Sequence, residues 1–323
     1  MMQNARKYKG NSKAQILLDN GFEQFSKATV AVYKKYLNKM NGPTGSYMRV
    51  ANILCWSFYS VPYYIEKDGF FIIINDDAYY GGFTAYAPVG DYEYAEGLYD
   101  AITFIQRMLE ALGEEFELLQ CKEWMHPYFD NIKDKQFEWS FDEGESDYLY
   151  ALQELNNSMS RRKIYYERKI REFTETYKPE YSEYQPEDYG QCLNIIESMF
   201  CESRGCEECI FGCMKQAFDV AIDAAEVMEG HIITFKSDNQ IIAFIIMCYD
   251  GEDLLYFDRK ATHNYQGLTE YLTLFVVENF SEKYDIMNYE EDMGSEGLRV
   301  HKRAMGPHVL SHNYHIKIIY QGT

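Results

Sequence analysis

One order of strand and turn signals occurs twice in this chain, 170 residues apart, and a repeat of that kind can bury its apolar faces only by building two similar sheets. Asp68-Gly69 lies between an aromatic strand and the run Phe70-Phe71-Ile72-Ile73-Ile74, which predicts a hairpin over residues 62–74. Asp238-Asn239 lies in the same way between His231–Lys236 and Ile241–Cys248. Each turn stands 29 residues before a Gly-Leu pair, Gly97-Leu98 and Gly267-Leu268, and each pair opens a helix-like stretch. Strand, turn, strand, strand, Gly-Leu and helix thus come in one order in both halves, which reads as a diverged duplication.

A chain of 323 residues is long enough for two such cores. Further signals fill in the halves. An amphipathic helix is expected over about residues 20–40, from Phe22, Phe25, Tyr33, Tyr36, Leu37 and Met40. Helices are expected from Tyr94 to Leu112, over 161–177, 187–200 and 208–229, from Leu268 to Phe280, and from Glu296. Strands are expected at 116–119, 137–141, 254–258 and 285–288.

Two antiparallel strands, a third strand and a helix opening on glycine resemble the centre of the N-acetyltransferase fold. The expectation is an α/β (α+β) protein of two tandem acyl-CoA N-acyltransferase-like (GNAT-like) domains, residues 1–145 and 146–323, each a mixed sheet flanked by helices. In that fold the helix after the third strand receives the pyrophosphate of coenzyme A on its unpaired amides. The corresponding run here, Asn264-Tyr265-Gln266-Gly267-Leu268-Thr269, keeps only the central glycine. Gly267 is therefore either a donor-binding residue or a glycine that the helix start needs for itself.

The most distinctive stretch runs from Asn288 through Tyr289, Glu290, Glu291, Asp292, Met293, Gly294, Ser295, Glu296, Gly297, Leu298, Arg299, Val300 and His301 to Lys302, with Pro307 and Tyr314 behind it. It resembles an uncharacterised bacterial family related to the catalytic C-terminal domain of phosphatidylglycerol lysyltransferase. That family shows Asn-Arg-Glu-x-Asp-x-Gly-x-x-Gly-Leu-Arg-x-x-Lys. The likeness covers most of residues 145–315 and, more loosely, Asn52–Trp56 with Tyr86–Gly90. It implies a tandem pair of domains like those of the Fem-type aminoacyltransferases, whose members take an aminoacyl group from charged tRNA. It leaves the donor open between charged tRNA and acyl-CoA, and the acceptor open among small-molecule, lipid and peptide amines or hydroxyls. The chain departs from the pattern at Tyr289, where arginine is usual, and at Arg259-Lys260, where Glu-Lys is usual. The exchange at 259 removes a candidate base.

Acyl transfer to an amine needs a base for the nucleophile, stabilisation of the oxyanion and a proton for the leaving group. Glu290, Glu291 and Asp292 cluster after a predicted strand, and one could serve as base if burial or a neighbour raised its pKa. Glu290 and Asp292 are the candidates carried by the motif, and a solvated acidic loop or helix caps are the structural alternative. Lys302 follows Arg299 by three residues, so both share one side of a short helix. The resemblance implies that Lys302 faces the reacting group. Arg299 could grip a carboxylate or phosphate bidentately, with Asn288 and Lys260 as further binding residues. A surface ion pair with the acidic loop is the alternative.

Cys201, Cys206, Cys209 and Cys213 form C-x4-C-x2-C-x3-C, a set that could hold zinc or an iron–sulfur cluster, or simply be reduced thiols on a buried helical face. The formal net charge of −20 excludes general DNA or RNA binding. Two basic segments interrupt it. One runs from Arg161 to Arg171; the other comprises Arg299, Lys302, Arg303 and Lys317 among His301, His308, His312 and His315. No apolar run approaches the ~20 residues that cross a bilayer, and the N-terminus carries no signal-peptide pattern, so the expected location is cytoplasmic. The reading is an acyl- or aminoacyltransferase. Its rival is a non-catalytic binding or regulatory protein on a degenerate acyltransferase fold, with a cysteine-bound metal as a further option.

Overall fold

The run Phe70–Asp77 has no polar face: all eight of its residues are buried, as a strand covered on both sides requires. It is the third strand of the computed structural model, which describes residues 13–78, 80–155, 163–201, 213–249, 254–262 and 264–319. The first half runs α1 (Ala14–Asp19), β1 (Glu23–Gln24), α2 (Val30–Leu37), α3 (Val50–Cys55), β2 (Ser60–Lys67), β3 (Phe70–Asp77), β4 (Gly82–Tyr86), β5 (Val89–Gly90), α4 (Ala95–Leu112), β6 (Glu117–Cys121), α5 (His126–Asp130) and β7 (Phe137–Phe141). After β8 (Asp147–Ala151) come α6 (Lys163–Tyr177), β9 (Glu180–Glu183), α7 (Tyr189–Ile196), α8 (Met214–Ala224), β10 (Gly230–Ser237), β11 (Gln240–Tyr249) and β12 (Leu254–Ala261). The chain continues through α9 (Leu268–Phe280), β13 (Ile286–Asn288), α10 (Glu296–Ala304), β14 (Val309–Ser311) and β15 (Tyr314–Ile318).

Both expected hairpins form. Lys67 pairs with Phe70 around Asp68 and Gly69, and Ser237 pairs with Gln240 around Asp238 and Asn239. All four turn residues have positive φ, the conformation that matches the strands' twist. The two sheets share one plan. The first is ordered β1-β2-β3-β4-β6-β15-β7, with β5 on β3; the second is β9-β10-β11-β12-β13-β8-β14. In each, four antiparallel strands are followed by a fifth that is parallel to the fourth, β6 on β4 and β13 on β12. A parallel neighbour needs a crossover, and α4 and α9 supply it.

The sixth place in each sheet is filled from elsewhere in the chain. β8 follows β7 in sequence yet lies between β13 and β14, while β15 follows β14 yet lies between β6 and β7. The chain accordingly divides into a unit made of residues up to Ser146 plus the segment from His312 onward, and a unit Asp147–Ser311. A division that leaves everything after residue 145 in the second unit is thus altered at the C-terminus. The tail's own strand finds its hydrogen-bonding partners in the first sheet.

Alternation along β11 fixes the layers of the second unit. Phe244 packs with Cys192, Ile196 and Phe218, whereas Ile245 and Met247 pack with Phe173, Leu272 and Phe275. The continuous helix expected over 20–40 is not what forms. Phe22, Phe25 and Tyr33 are buried as the apolar pattern requires, but Glu23 and Gln24 pair with Tyr64 and Tyr63, so the helix begins at Val30. Among the described residues no helix is long and apolar enough to cross a membrane.

Candidate functional site

The family-like stretch forms strand β13, a seven-residue loop and helix α10, all inside the second unit. The loop is wound tightly. Glu290, Met293 and Gly294 have φ of +54°, +52° and +70°. Asn288 Oδ1 accepts the Glu290 amide at 2.7 Å, and Asp292 Oδ1 accepts the Gly294 amide at 2.9 Å. Both are Asx-type turns, in which a side-chain oxygen replaces a backbone partner. The loop is also sewn to β8, because Tyr289 donates its amide to the Tyr148 carbonyl and Tyr148 donates its own to the Glu290 carbonyl.

Asp292 is fully buried, and four donors surround its carboxylate. Arg299 grips it with Nε at 2.9 Å and Nη2 at 3.0 Å, Tyr148 donates its hydroxyl at 2.7 Å, and the Gly294 amide completes the set. Burial works against ionisation, but the bonds from Arg299, Tyr148 and Gly294 outweigh it and hold the carboxyl below its usual range. Burial, and after it the same carboxylate, pushes the Tyr148 hydroxyl up to about 12. Arg299 therefore grips a carboxylate bidentately, as its position suggests, but the carboxylate is the protein's own.

Lys302 points into the loop. Its Nζ donates to the carbonyls of Tyr289 at 2.5 Å, Glu291 at 2.7 Å and Glu290 at 3.2 Å. An ammonium has three donors, and these three carbonyls use them all. The rings of Tyr289 and Tyr148 lie 4.6 and 5.6 Å from the same nitrogen, and Tyr150 donates its hydroxyl to the Lys302 carbonyl. Burial lowers the lysine's pKa, and Glu290 and Glu291 act in the opposite sense. In this structure Lys302 ties the loop to α10, and its cation offsets the charge of the acidic run.

Glu291 is the carboxyl whose surroundings favour its protonated form. It is 8% exposed, and burial, reinforced by Glu290 and Asp147, pushes its pKa up to about 8. The condition for a carboxyl base at neutral pH is thus met by the middle residue of the trio. Glu290 is half-buried on the loop beside it, and Asn288 is buried at the end of β13.

A second constellation, with no signal of its own in the motif, stands beside this loop. Arg259 Nη2 lies 2.7 Å from His301 Nε2, its Nη1 is 3.4 Å from the Thr273 hydroxyl, and its guanidinium stands 5.3 Å from the Tyr289 ring centre. Burial first, then Arg259 and Lys302, bring His301 down to about 4, so its ring is neutral and Nε2 accepts from the arginine. Lys260 does not join this group. Strand alternation turns it to the other face of β12, where its Nζ lies 5.5 Å from the Phe200 ring.

Gly267 caps α9 with φ +91°, and a Cβ there would stand 2.7 Å from the Lys169 carbonyl and 3.0 Å from Phe173 Cβ. Backbone conformation and the close approach of α6 each demand glycine, which is the packing alternative weighed for this position. Of the basic segments, Lys169 pairs with Glu270 and Arg168 with Glu172; Lys317 lies beside Glu117 and belongs to the first unit, whereas Arg299 and Lys302 belong to the second. Arg161, Arg162, Cys206 and Cys209 lie outside the described residues; Cys201 and Cys213 are half-buried.

With this geometry in hand, residues 41–317 match the family described as phosphatidylglycerol lysyltransferase, C-terminal. A comparison with curated proteins gives no match. Among solved structures, a conserved protein of unknown function from Bacteroides thetaiotaomicron superposes with a TM-score of 0.80 at 19% identity, covering 93% of this chain and 99% of that one. FemX superposes with a TM-score of 0.64 at 12% identity over 92% and 97% of the two chains. L-PGS from Bacillus licheniformis does so at 0.60 and 11% identity over 90% and 92%. These likenesses extend over nearly the whole chain and fix the fold as mixed α/β with two GNAT-like domains.

Proposed function

The chain belongs to the phosphatidylglycerol lysyltransferase C-terminal family, and on that premise we propose that it transfers an acyl or aminoacyl group from an activated donor to an amine or hydroxyl acceptor. The donor is a charged tRNA or an acyl-CoA thioester. Glu291 carries the reading: a buried carboxyl with a pKa near 8, at the heart of the family's own loop, is a base matched to neutral pH. Ionised Glu291 takes the proton of the attacking nitrogen or oxygen as its bond to the acyl carbon forms. The bond to the leaving oxygen or sulfur then breaks, and that atom receives the proton. Asp292, Arg299 and Lys302 act on this step through the loop: they hold Tyr289 to Gly294 in a shape that places Glu291.

A second reading has its own support. The motif's charged residues satisfy one another, and Gly267 has a complete packing reason, as in a binding protein that keeps the scaffold without the chemistry. Incubation with labelled acyl-CoA thioesters and labelled aminoacyl-tRNAs, with amine and hydroxyl acceptors, separates the two. Label reaching an acceptor with wild type and lost with Glu291→Gln is the expected result. Donor retained without transfer, or no donor bound, supports the second reading and overturns the first.

A further inference from the structure

Acidic residues outnumber Lys and Arg by 51 to 31 in this chain, so an arginine without a carboxylate neighbour is a feature to be explained. Among the described residues the partners of Arg259 are His301, Thr273 and the Tyr289 ring, and none is acidic. A guanidinium has five N–H donors, and these contacts engage two. Arg259 is half-buried, and its Nε, which has no hydrogen-bond partner among the described residues, is not a buried atom, so this donor reaches solvent.

We infer that Arg259, clamped by His301 and Tyr289, receives an oxyanion of the substrate, either a phosphate ester or a carboxylate. The clamp has the form that this task requires. A neutral imidazole accepts a hydrogen bond without cancelling the guanidinium's charge, whereas a carboxylate in its place would neutralise the site. The aromatic ring lies 5.3 Å from the guanidinium carbon and supports the cation, and the guanidinium's planar fork is what pairs bidentately with phosphate or carboxylate. Tyr289 joins this arginine to the reaction loop, since the same ring lies 4.6 Å from Lys302 Nζ. Arg299, the arginine expected to bind an anion, is occupied by Asp292, so of these two arginines Arg259 is the one not bonded to a carboxylate. The assignment of the oxyanion to a substrate rests on the acyl-transfer reading of the loop; the binding itself does not.

The test reads binding without turnover. Full-length protein labelled with nitrogen-15 in histidine is titrated with inorganic phosphate and, separately, with acetate at constant ionic strength, and the His301 ring signals are followed. A saturable shift is expected in wild type, weakened by about ten- to a hundredfold in Arg259→Gln, the loss of one charge-assisted bidentate contact. Arg303→Gln removes a charge from an exposed position on α10, the helix that carries His301, and is expected to bind like wild type. If Arg259→Gln does not fold, Arg259→Lys keeps the charge without the fork and is expected to bind at least several-fold more weakly. Tighter binding of phosphate assigns the partner group to a phosphate ester, and tighter binding of acetate to a carboxylate. No saturable shift in wild type, or equal affinities in wild type and the Arg259 variant, overturns the site. Absence of transferase activity with binding intact would sink the acyl-transfer reading alone.

Discussion

Replacing Lys302 by methionine keeps the length of the side chain and removes its charge and all three donors. The carbonyls of Tyr289, Glu290 and Glu291 lose a common partner, and Glu290, Glu291, Asp292 and Asp147 lose a cation that acts on them electrostatically. A hydrogen bond to a charged group contributes about 1.5–3 kcal/mol, but burying the ammonium already costs part of that sum. Removing one partner of a buried charged arrangement costs about 3–5 kcal/mol, and that is the expected loss here. The assay is native-state hydrogen exchange on the full chain, following the amides of Tyr148 and Tyr289 and those of α10. Their protection should fall by about two orders of magnitude or more, since every 1.4 kcal/mol is tenfold. A variant whose loop stays within about 1 kcal/mol of wild type while transfer is abolished would refute the reasoning. Lys302 would then serve the reacting group and not the loop.

Two further outcomes follow from the first unit. His315 bridges Glu117 at 3.0 Å and Glu145 at 2.8 Å; burial pulls its pKa down, and the two carboxylates carry it the other way, to about 9. A histidine with a raised folded pKa stabilises fully below its unfolded value near 6.5 and loses that contribution as pH rises through about 9. Protection of the β15 amides should therefore decline between about pH 6.5 and 9, and His315→Asn should flatten the decline; an equal decline in both proteins would speak against the bridge. Ending the chain after Ser311 removes the strand that both β6 and β7 pair with, and should expose the amides of those strands while leaving those of β10, β11 and β12 protected. Retained protection of β6 and β7 would show that the first sheet closes without β15.

Local chemistry explains which features could be read from the amino-acid sequence. Asp68-Gly69 and Asp238-Asn239 carry their turn conformation in their own residues, and the buried run Phe70–Ile74 announces a central strand. The exchange of β8 and β15 could not be read, because their partners are set by tertiary pairing and lie far away in sequence. Glu23 and Gln24 show the same override on a smaller scale: the apolar spacing around them is right for burial, but pairing with β2 makes the segment extended. In the site, helical spacing placed Arg299 and Lys302 on one side of α10 correctly. Spacing could not decide between an external anion and the ion pair with the acidic loop that was its alternative; Arg299 makes that pair, with a buried Asp292 instead of a surface carboxylate, and Lys302 meets the loop carbonyls. Arg259 read as a lost glutamate, since the histidine and tyrosine that hold it come from α10 and the loop before it.

The most direct measurement is the pH dependence of acyl transfer for wild type and Glu291→Gln, with a donor that supports turnover. Expected is a wild-type rate that rises as pH passes about 8, where the Glu291 carboxyl ionises, and a variant slower by about 10²–10⁴-fold without that rise. A variant that keeps both the wild-type rate and its pH profile would contradict the assignment of Glu291 as the base.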